Sequence, residues 1–124
     1  QVTGPKKITK AGMYNYCWPG CLTVIYNAEK VGRVQIENLP KNNDYAMWLK
    51  VIKKSKCYLL NENLAKYRIR QGSISRNKKL QLIKYHYILY RYGEKMNIEA
   101  SIFNTLRNIF FGVIKKFLYR KVGR

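Results

Sequence analysis

Acidic residues are scarce in this chain of 124 residues: six Asp and Glu stand against 25 Lys and Arg, which gives a net charge of +19. Asp44 is the sole aspartate, so the chain contains no paired-aspartate motif. No second carboxylate stands next to it as an acid/base partner, since Glu37 lies upstream across a loop. The positive excess predicts attraction to phosphates, nucleic acid or anionic lipid headgroups, unless it reflects only a lysine-rich genome.

Cysteine is also sparse, and the three thiols of Cys17, Cys21 and Cys57 cannot all pair within one chain. No secretory signal follows Gln1, so we expect reduced thiols in a cytosolic setting. Together with His86 they make a Cys3His set, but without the Cys-x-x-Cys spacing of a structural zinc site. We therefore expect buried, inert thiols and no metal. A start at Gln rather than Met suggests that an upstream segment is missing.

The few prolines and glycines divide the chain into short periodic segments, without an internal repeat. Residues 21–26 are rich in β-branched and aromatic side chains and predict a buried strand. Residues 44–54 predict a helix with an asparagine N-cap at 42–43 and an apolar face of Tyr45, Trp48, Leu49 and Ile52. The other predicted elements are a turn at 16–20, a helical turn at 28–31, short strands at 57–60 and 65–69, and a helix at 78–92 ended by Gly93.

The last predicted helix, 98–119, has apolar residues every three or four positions. Arg107, Lys115 and Lys116 interrupt this pattern, so the segment is too short and too charged to cross a bilayer. One interpretation is an interfacial helix that lies among lipid headgroups. The other is a helix packed against its own domain or against a partner helix.

Three collinear segments carry a family resemblance over about residues 5 to 95. Residues 43–50, Asn-Asp-Tyr-Ala-Met-Trp-Leu-Lys, resemble the acidic-aromatic box of family 2 glycosyltransferases. Residues 19–26 resemble the strand that precedes this box. Residues 65–75 resemble the Tyr-Arg-x-x-x-x-Ser-x-Ser segment that follows it. The one departure within the box, Asn43 in place of the usual Glu or Gln, is small.

The resemblance implies an α/β fold, the C-terminal part of a GT-A-type domain. Residues 1–77 would be its acceptor-side portion, and 78–124 a helical extension at the membrane surface. The complete enzyme would transfer a sugar from a nucleotide donor to a polysaccharide or lipid-linked acceptor, at the inner face of the cell membrane. It would use a divalent metal, Mg or Mn, held by an Asp-x-Asp motif. Because this chain has no such motif and no nucleotide-binding βαβ units, we expect it to be inactive alone.

The resemblance also assigns roles to single residues. Asp44 would be the catalytic base that deprotonates the acceptor hydroxyl. Trp48, one turn along the helix, would buttress the site, and Trp18 would offer an apolar face to a sugar ring or take a core or lipid-facing role. Cations and hydroxyls stabilise a departing nucleotide diphosphate, which implicates Arg68 and Ser73 and, more weakly, Arg70 and Ser75.

A second class of function is a basic nucleic-acid-binding or membrane-attaching module without catalysis. Eleven tyrosines interleaved with basic residues are consistent with base stacking. No recognised nucleic-acid motif is present, however, so we expect no specific nucleic-acid partner. Loss of sugar transfer on Asp44→Asn would separate an enzyme from a binding module.

Overall fold

A computed structural model describes residues 4–66, 68 and 79–119. Two short strands, β1 (Lys7–Ile8) and β2 (Cys57–Tyr58), pair antiparallel with Ile8 opposite Cys57. Around them lie five α-helices: α1 (Lys10–Asn15), α2 (Ala28–Val31), α3 (Asn43–Lys54), α4 (Lys79–Ile88) and α5 (Ile98–Leu118). The architecture is thus mixed, mainly helical with a two-stranded sheet, and it is compatible with part of an α/β enzyme.

Helix α3 forms the centre of the core, as its sequence pattern predicts. Tyr45, Trp48, Leu49 and Ile52 are all buried, and Leu49 has no exposed surface. Lys53 and Lys54 occupy the last turn, where cations interact favourably with the helix dipole. The predicted bounds of this helix are confirmed to within one residue.

The start of α3 differs from the predicted cap. Asn42 precedes the helix in a left-handed conformation (φ 63°), and its side chain makes no capping hydrogen bond. The Asn43 amide instead donates to the carbonyl oxygens of Glu37 and Leu39. Asn tolerates the left-handed region better than most residues, so it turns the chain into the helix through its backbone.

The predicted buried strand at 21–26 is wrong for the structure described. Cys21–Thr23 form a single 3-10 turn, exposed on the surface, and Ile25 is fully exposed. The prediction rested on β propensity, which depends on a neighbouring strand to pack against, and no described strand pairs with this segment. The short strand predicted at 57–60 is confirmed at Cys57–Tyr58, and the helical turn at 28–31 is confirmed.

Helix α1 is the element that sequence periodicity did not reveal. It is only six residues long, with the Thr9 hydroxyl accepting the N–H of Gly12 as an N-cap. Met13 and Tyr14 on this helix are buried in the core with α3 and with Leu89 and Tyr90, which follow α4. Six residues give too few turns for a periodic pattern to be recognised.

The predicted helix at 78–92 is present as α4, followed by one π-helical turn, Leu89–Gly93. Gly93 ends it, as predicted, and a Cβ built there would lie 3.1 Å from the Leu39 side chain. The π-helical turn brings Leu89 and Tyr90 into the core with α1 and α3. The division of the chain into two parts at residue 78 stays a prediction.

Helix α5 lies within one residue of its predicted bounds, 98–119, but has an unusual orientation. Its buried residues are polar: Ser101, Asn104, Thr105 and Asn108. Its large apolar residues face outward, including Phe103, Leu106, Phe110, Phe117 and Leu118, each more than 60% exposed. No helix in the described part of the chain is long and apolar enough to cross a membrane.

Candidate functional site

Asp44 lies in the first turn of α3, half-buried, with its two carboxylate oxygens in different environments. Oδ1 accepts the N–H of Tyr45 at 2.9 Å. Oδ2 accepts the thiol of Cys21 at 3.4 Å, from the segment that faces the helix start. Since the following residues of α3 are packed in the core, the carboxylate is held on a rigid mount at the surface.

The thiols beside Asp44 are held in their neutral form. Burial raises the pKa of the Cys17 thiol strongly, and the negative charge of Asp44 adds to this effect, while the Lys115 ammonium opposes it. Burial and the Asp44 carboxylate also raise the pKa of Cys21. A thiolate is the nucleophilic form of cysteine, so the raised pKa values do not favour a nucleophilic role for either residue.

Aromatic residues next to Cys17 form a cluster around one cation. The Lys115 Nζ lies 4.0 Å from the ring centroid of Tyr16 and 5.0 Å from that of Trp18. The Trp18 indole N–H donates to the carbonyl oxygen of Gly12 at 3.1 Å, and its ring meets that of Tyr119 edge to face. Trp18 is therefore a partly buried packing residue of this cluster, which we call the Lys115 cluster (Tyr16, Trp18, Lys115, Tyr119).

Trp48 lies one turn after Asp44 and is buried, with 7% of its surface exposed. It borders an open, largely apolar cleft of about 520 Å³, together with Val24, Tyr26 and Val51. Its indole N–H is buried without a hydrogen-bond partner among the described residues. The segment that carries Cys21 continues to Val24 and Tyr26 in the wall of this cleft. One loop therefore contacts Asp44 and also borders the cleft.

Glu37 is the carboxylate upstream of Asp44, and it is engaged elsewhere. It forms an ion pair with Lys50 of α3, whose hydrogen bond and charge lower the pKa of the Glu37 carboxyl. Glu37 is therefore an ionised surface acid rather than a proton donor to Asp44. Asp44 remains a carboxylate without an acidic partner in hydrogen-bond contact among the described residues.

The structure positions some of the other predicted residues and not others. Arg68 is exposed. Ser73, Arg70 and Ser75 lie outside the described residues, as do positions 67 and 69 of the strand predicted at 65–69. Its other three residues, Ala65, Lys66 and Arg68, are described and are not in a strand. The proximity of the 65–75 segment to Asp44 therefore stays a prediction.

The described residues do not supply a metal centre. No group of three or more His, Cys, Asp or Glu side chains in 4–66 and 79–119 is arranged to hold a metal ion. His86 is mostly buried, its Nδ1 hydrogen-bonded to the carbonyl oxygen of Leu82, and burial lowers its pKa. It packs against Tyr45 rather than against a cysteine.

Sequence reasoning missed the contribution of Lys115 and Cys21 to the surroundings of Asp44. The sequence pattern predicts Cys21 in a buried strand and Lys115 as one of the charges that interrupt the apolar pattern of the last helix. The one available signal is that Lys115, with Lys116, interrupts an apolar stretch of the last helix. Tyr16 and Trp18, whose rings contact the Lys115 ammonium, are about a hundred positions earlier in the sequence, so only the fold reveals the contact.

Comparison with known proteins finds bacterial glycosyltransferases. The chain is 39% identical over 79 residues to TuaG of Bacillus subtilis, named as a teichuronic acid biosynthesis glycosyltransferase; the match covers 63% of this chain and 31% of that protein. It is 34% identical over 95 residues to WfaP of Escherichia coli, covering 75% of this chain and 37% of WfaP. It is 31% identical over 122 residues to WfgD of Escherichia coli, covering 97% of this chain and 47% of WfgD.

WfaP and WfgD are both named as UDP-Glc:alpha-D-GlcNAc-diphosphoundecaprenol beta-1,3-glucosyltransferases. The chain spans less than half the length of each of these relatives. No family model matches the chain, and no solved structure matches it. The resemblance to bacterial glycosyltransferases that the three sequence segments indicated is therefore confirmed, for part of such a protein.

Proposed function

We propose that this chain is the acceptor-side part of a family 2, GT-A-type glycosyltransferase and that Asp44 is its catalytic base. The observation that carries the proposal is the placement of Asp44. It is a surface carboxylate on a buried, rigid helix, within the segment that resembles the family's acidic-aromatic box. Similarity to three bacterial glycosyltransferases supports the reaction class.

The chemistry requires one base on the acceptor side. The acceptor hydroxyl must lose its proton as its oxygen attacks the anomeric carbon of the donor sugar, and a carboxylate in hydrogen-bond reach can accept that proton. Within residues 4–66, 68 and 79–119, Asp44 Oδ2 has only the weak Cys21 thiol as a donor. A sugar hydroxyl is a stronger donor than a thiol and would displace it.

The donor side is assigned by resemblance. Arg68 and Ser73 would stabilise the negative charge that develops on the departing nucleotide diphosphate. A divalent metal would serve the complete enzyme, but the described residues do not fit one, and the chain has no Asp-x-Asp motif. We therefore assign the metal and the nucleotide to residues outside this chain and derive no step from either.

The acceptor class follows from the relatives and from the charge. Two of them are named for an acceptor in which a sugar is joined through a diphosphate to undecaprenol. An acceptor of this kind carries negative charge, and this chain has a net charge of +19. We infer a nucleotide-sugar donor and a lipid-linked, phosphate-bearing acceptor.

The test of the base is Asp44→Asn in the longest open reading frame that contains this chain, assayed for sugar transfer to a lipid diphosphate acceptor. Asn keeps the size of the side chain and removes its basicity, so we expect kcat to fall by about 10²–10⁴-fold. Glu29→Gln is the matched control, because Glu29 is also an acid in the first turn of a helix but is exposed on α2. It should leave kcat unchanged. A wild-type rate in the Asp44→Asn enzyme would overturn the assignment.

We also propose that α5 lies on an anionic membrane surface. A surface helix of a globular protein buries its apolar stripe, whereas α5 buries Asn104 and Asn108 and exposes Phe103, Phe110 and Phe117. Apolar side chains turned outward along a helix suit the boundary between headgroups and acyl chains. The large positive charge favours anionic lipids as the occupant of this face.

Vesicle sedimentation tests this second proposal. Phe103 and Phe110 on α5 are 63% and 62% exposed, and Leu60 and Leu64 elsewhere are 64% and 73% exposed. We expect Phe103→Ser with Phe110→Ser to weaken binding to phosphatidylglycerol vesicles by about tenfold or more, because burial of each ring in the bilayer is lost. Leu60→Ser with Leu64→Ser, the matched control, should bind as the wild type does. Equal loss in both variants would contradict a specific α5 surface, and a dimer broken by the α5 variant alone would assign the face to a second copy.

A further inference from the structure

Lys115 is a half-buried cation whose position is set by aromatic rings. It lies near the end of α5, and its Nζ is within 4.0 Å of the Tyr16 ring centroid and 5.0 Å of the Trp18 centroid. Trp18 is itself fixed by its hydrogen bond to Gly12 and by its contact with Tyr119. The ammonium is therefore presented at a defined place, unlike that of the neighbouring Lys116, which is exposed.

The charge of Lys115 has no counter-ion within the described part of the chain. The ion pairs found there join Lys50 to Glu37 and Lys53 to Glu94. Cation–π contacts offset part of the cost of removing an ammonium from water. With three N–H donors and two ring contacts, the ammonium can still donate to an anion. Burial lowers the pKa of Lys115, as expected for a cation that lacks an acidic partner.

Lys115 is connected to both parts of the proposed acceptor site, the Asp44 carboxylate and the exposed apolar face of α5. On one side, Tyr16 and Trp18 contact Lys115, and Cys21 of the same segment donates to Asp44, so residues 16–21 connect the two charged groups. On the other side, Leu118, which is 69% exposed, follows Lys115 by one turn of α5 and so lies on the same side of the helix. Contacts thus connect the Asp44 carboxylate to the Lys115 ammonium through residues 16–21, and the ammonium lies beside the exposed apolar end of α5.

We propose that the Lys115 cluster binds the phosphate group that links the sugar of the acceptor to its lipid. A lipid-linked acceptor has the same order of chemistry: a sugar hydroxyl for Asp44, a charged phosphate linkage for Lys115, and an apolar chain for α5. The inference rests on the proposed function, and it adds a binding residue for the acceptor. Lys115 would hold the acceptor in place without taking part in proton transfer.

Isothermal titration of this chain with farnesyl diphosphate, at about 0.15 M salt to screen diffuse attraction, tests the inference. Lys115→Gln should weaken the affinity by about tenfold or more, since a hydrogen bond to a charged group is lost. Lys116→Gln removes the same charge from the next position and should change it less than about twofold. Lys115→Arg keeps the charge and the stacking on aromatic rings, and should restore most of the affinity.

Two further ligands distinguish the source of the phosphate. Farnesol, which lacks phosphate, should bind the wild type and the Lys115→Gln variant equally. Phosphatidylglycerol vesicles should also bind both alike, because the headgroup contact is spread over many cations. Equal weakening of farnesyl diphosphate binding by Lys115→Gln and Lys116→Gln would overturn the inference, as would a Lys115→Gln effect seen only with vesicles.

The same titration separates this inference from the proposed function. Asp44→Asn should leave farnesyl diphosphate binding unchanged while it abolishes transfer in the longer reading frame. If Lys115→Gln has no effect on binding and Asp44→Asn still abolishes transfer, the phosphate site is wrong and the base assignment stands. If Lys115→Gln weakens binding but Asp44→Asn transfers normally, the chain binds lipid phosphates and the catalytic role of Asp44 is wrong.

Discussion

Helices α3 and α5 have the same kind of sequence pattern and opposite relations to the core. In α3 the apolar stripe is buried, with Leu49 completely covered, and the lysines face outward. In α5 the polar stripe is buried, and Leu106 on the apolar stripe is 61% exposed. Periodicity thus shows that a helix has two faces, but not which face meets the rest of the chain.

The polar side of α5 is buried because it supplies hydrogen bonds to the core. The Asn108 amide donates to the hydroxyl oxygens of Tyr45 and Tyr90, at 2.8 and 3.3 Å, and the Tyr45 hydroxyl donates to the Met13 carbonyl oxygen at 2.6 Å. Burial raises the pKa of Tyr90 to about 12, so these phenols stay neutral. Buried phenols and amides need such partners, and α5 provides them.

A matched pair of leucine substitutions should give the largest difference between the two helices. Leu49→Ala in α3 should lower the free energy of unfolding by about 2–5 kcal/mol, because it leaves a cavity in the core. Leu106→Ala in α5 should lower it by less than about 0.5 kcal/mol, because the side chain is mostly in solvent. Urea unfolding followed by circular dichroism measures both. A loss of more than 2 kcal/mol for Leu106→Ala would show that α5 packs its apolar face inside, against the structure described.

The same two helices show how far sequence reasoning reached. Both were located within one or two residues, because each is long enough for apolar positions to recur over several turns. The sequence pattern could not predict that α5 buries its polar face, because the hydrogen-bond partners of Asn108, Tyr45 and Tyr90, lie on α3 and after α4. Contacts between distant segments decide which side is covered, and a single sequence does not contain them.

In the candidate site, the sequence predicted Asp44 correctly as a residue at a helix start but predicted the neighbouring segment 21–26 wrongly, for a related reason. Asp44 was found because it is the sole aspartate and stands at a helix start within a recognisable segment. The strand predicted at 21–26 was wrong because its β-branched residues were read without knowing whether a neighbouring strand exists. In the structure, the Cys21 thiol instead donates a hydrogen bond to the Asp44 carboxylate. The family resemblance predicts roles for single residues. The side chains that surround Asp44 could be identified only from the fold.

Asn108→Ala should give a smaller effect than Leu49→Ala and tests whether the polar side of α5 stabilises the core. The substitution removes a donor to Tyr45 and Tyr90, so we expect the free energy of unfolding to fall by about 1–3 kcal/mol. Asn104→Ala is the control on the same face, because the Asn104 amide donates to Ala100 within its own helix and to the Met96 sulfur. It should cost less than about 1 kcal/mol, since the bond to its own helix competes with the backbone and adds little. Urea unfolding of the two variants measures the difference. Equal losses of unfolding free energy in the two variants would show that the hydrogen bonds to Tyr45 and Tyr90 add no stability beyond that of a bond within the helix. The burial of the polar face would then need another cause, such as attraction of the apolar face to lipid.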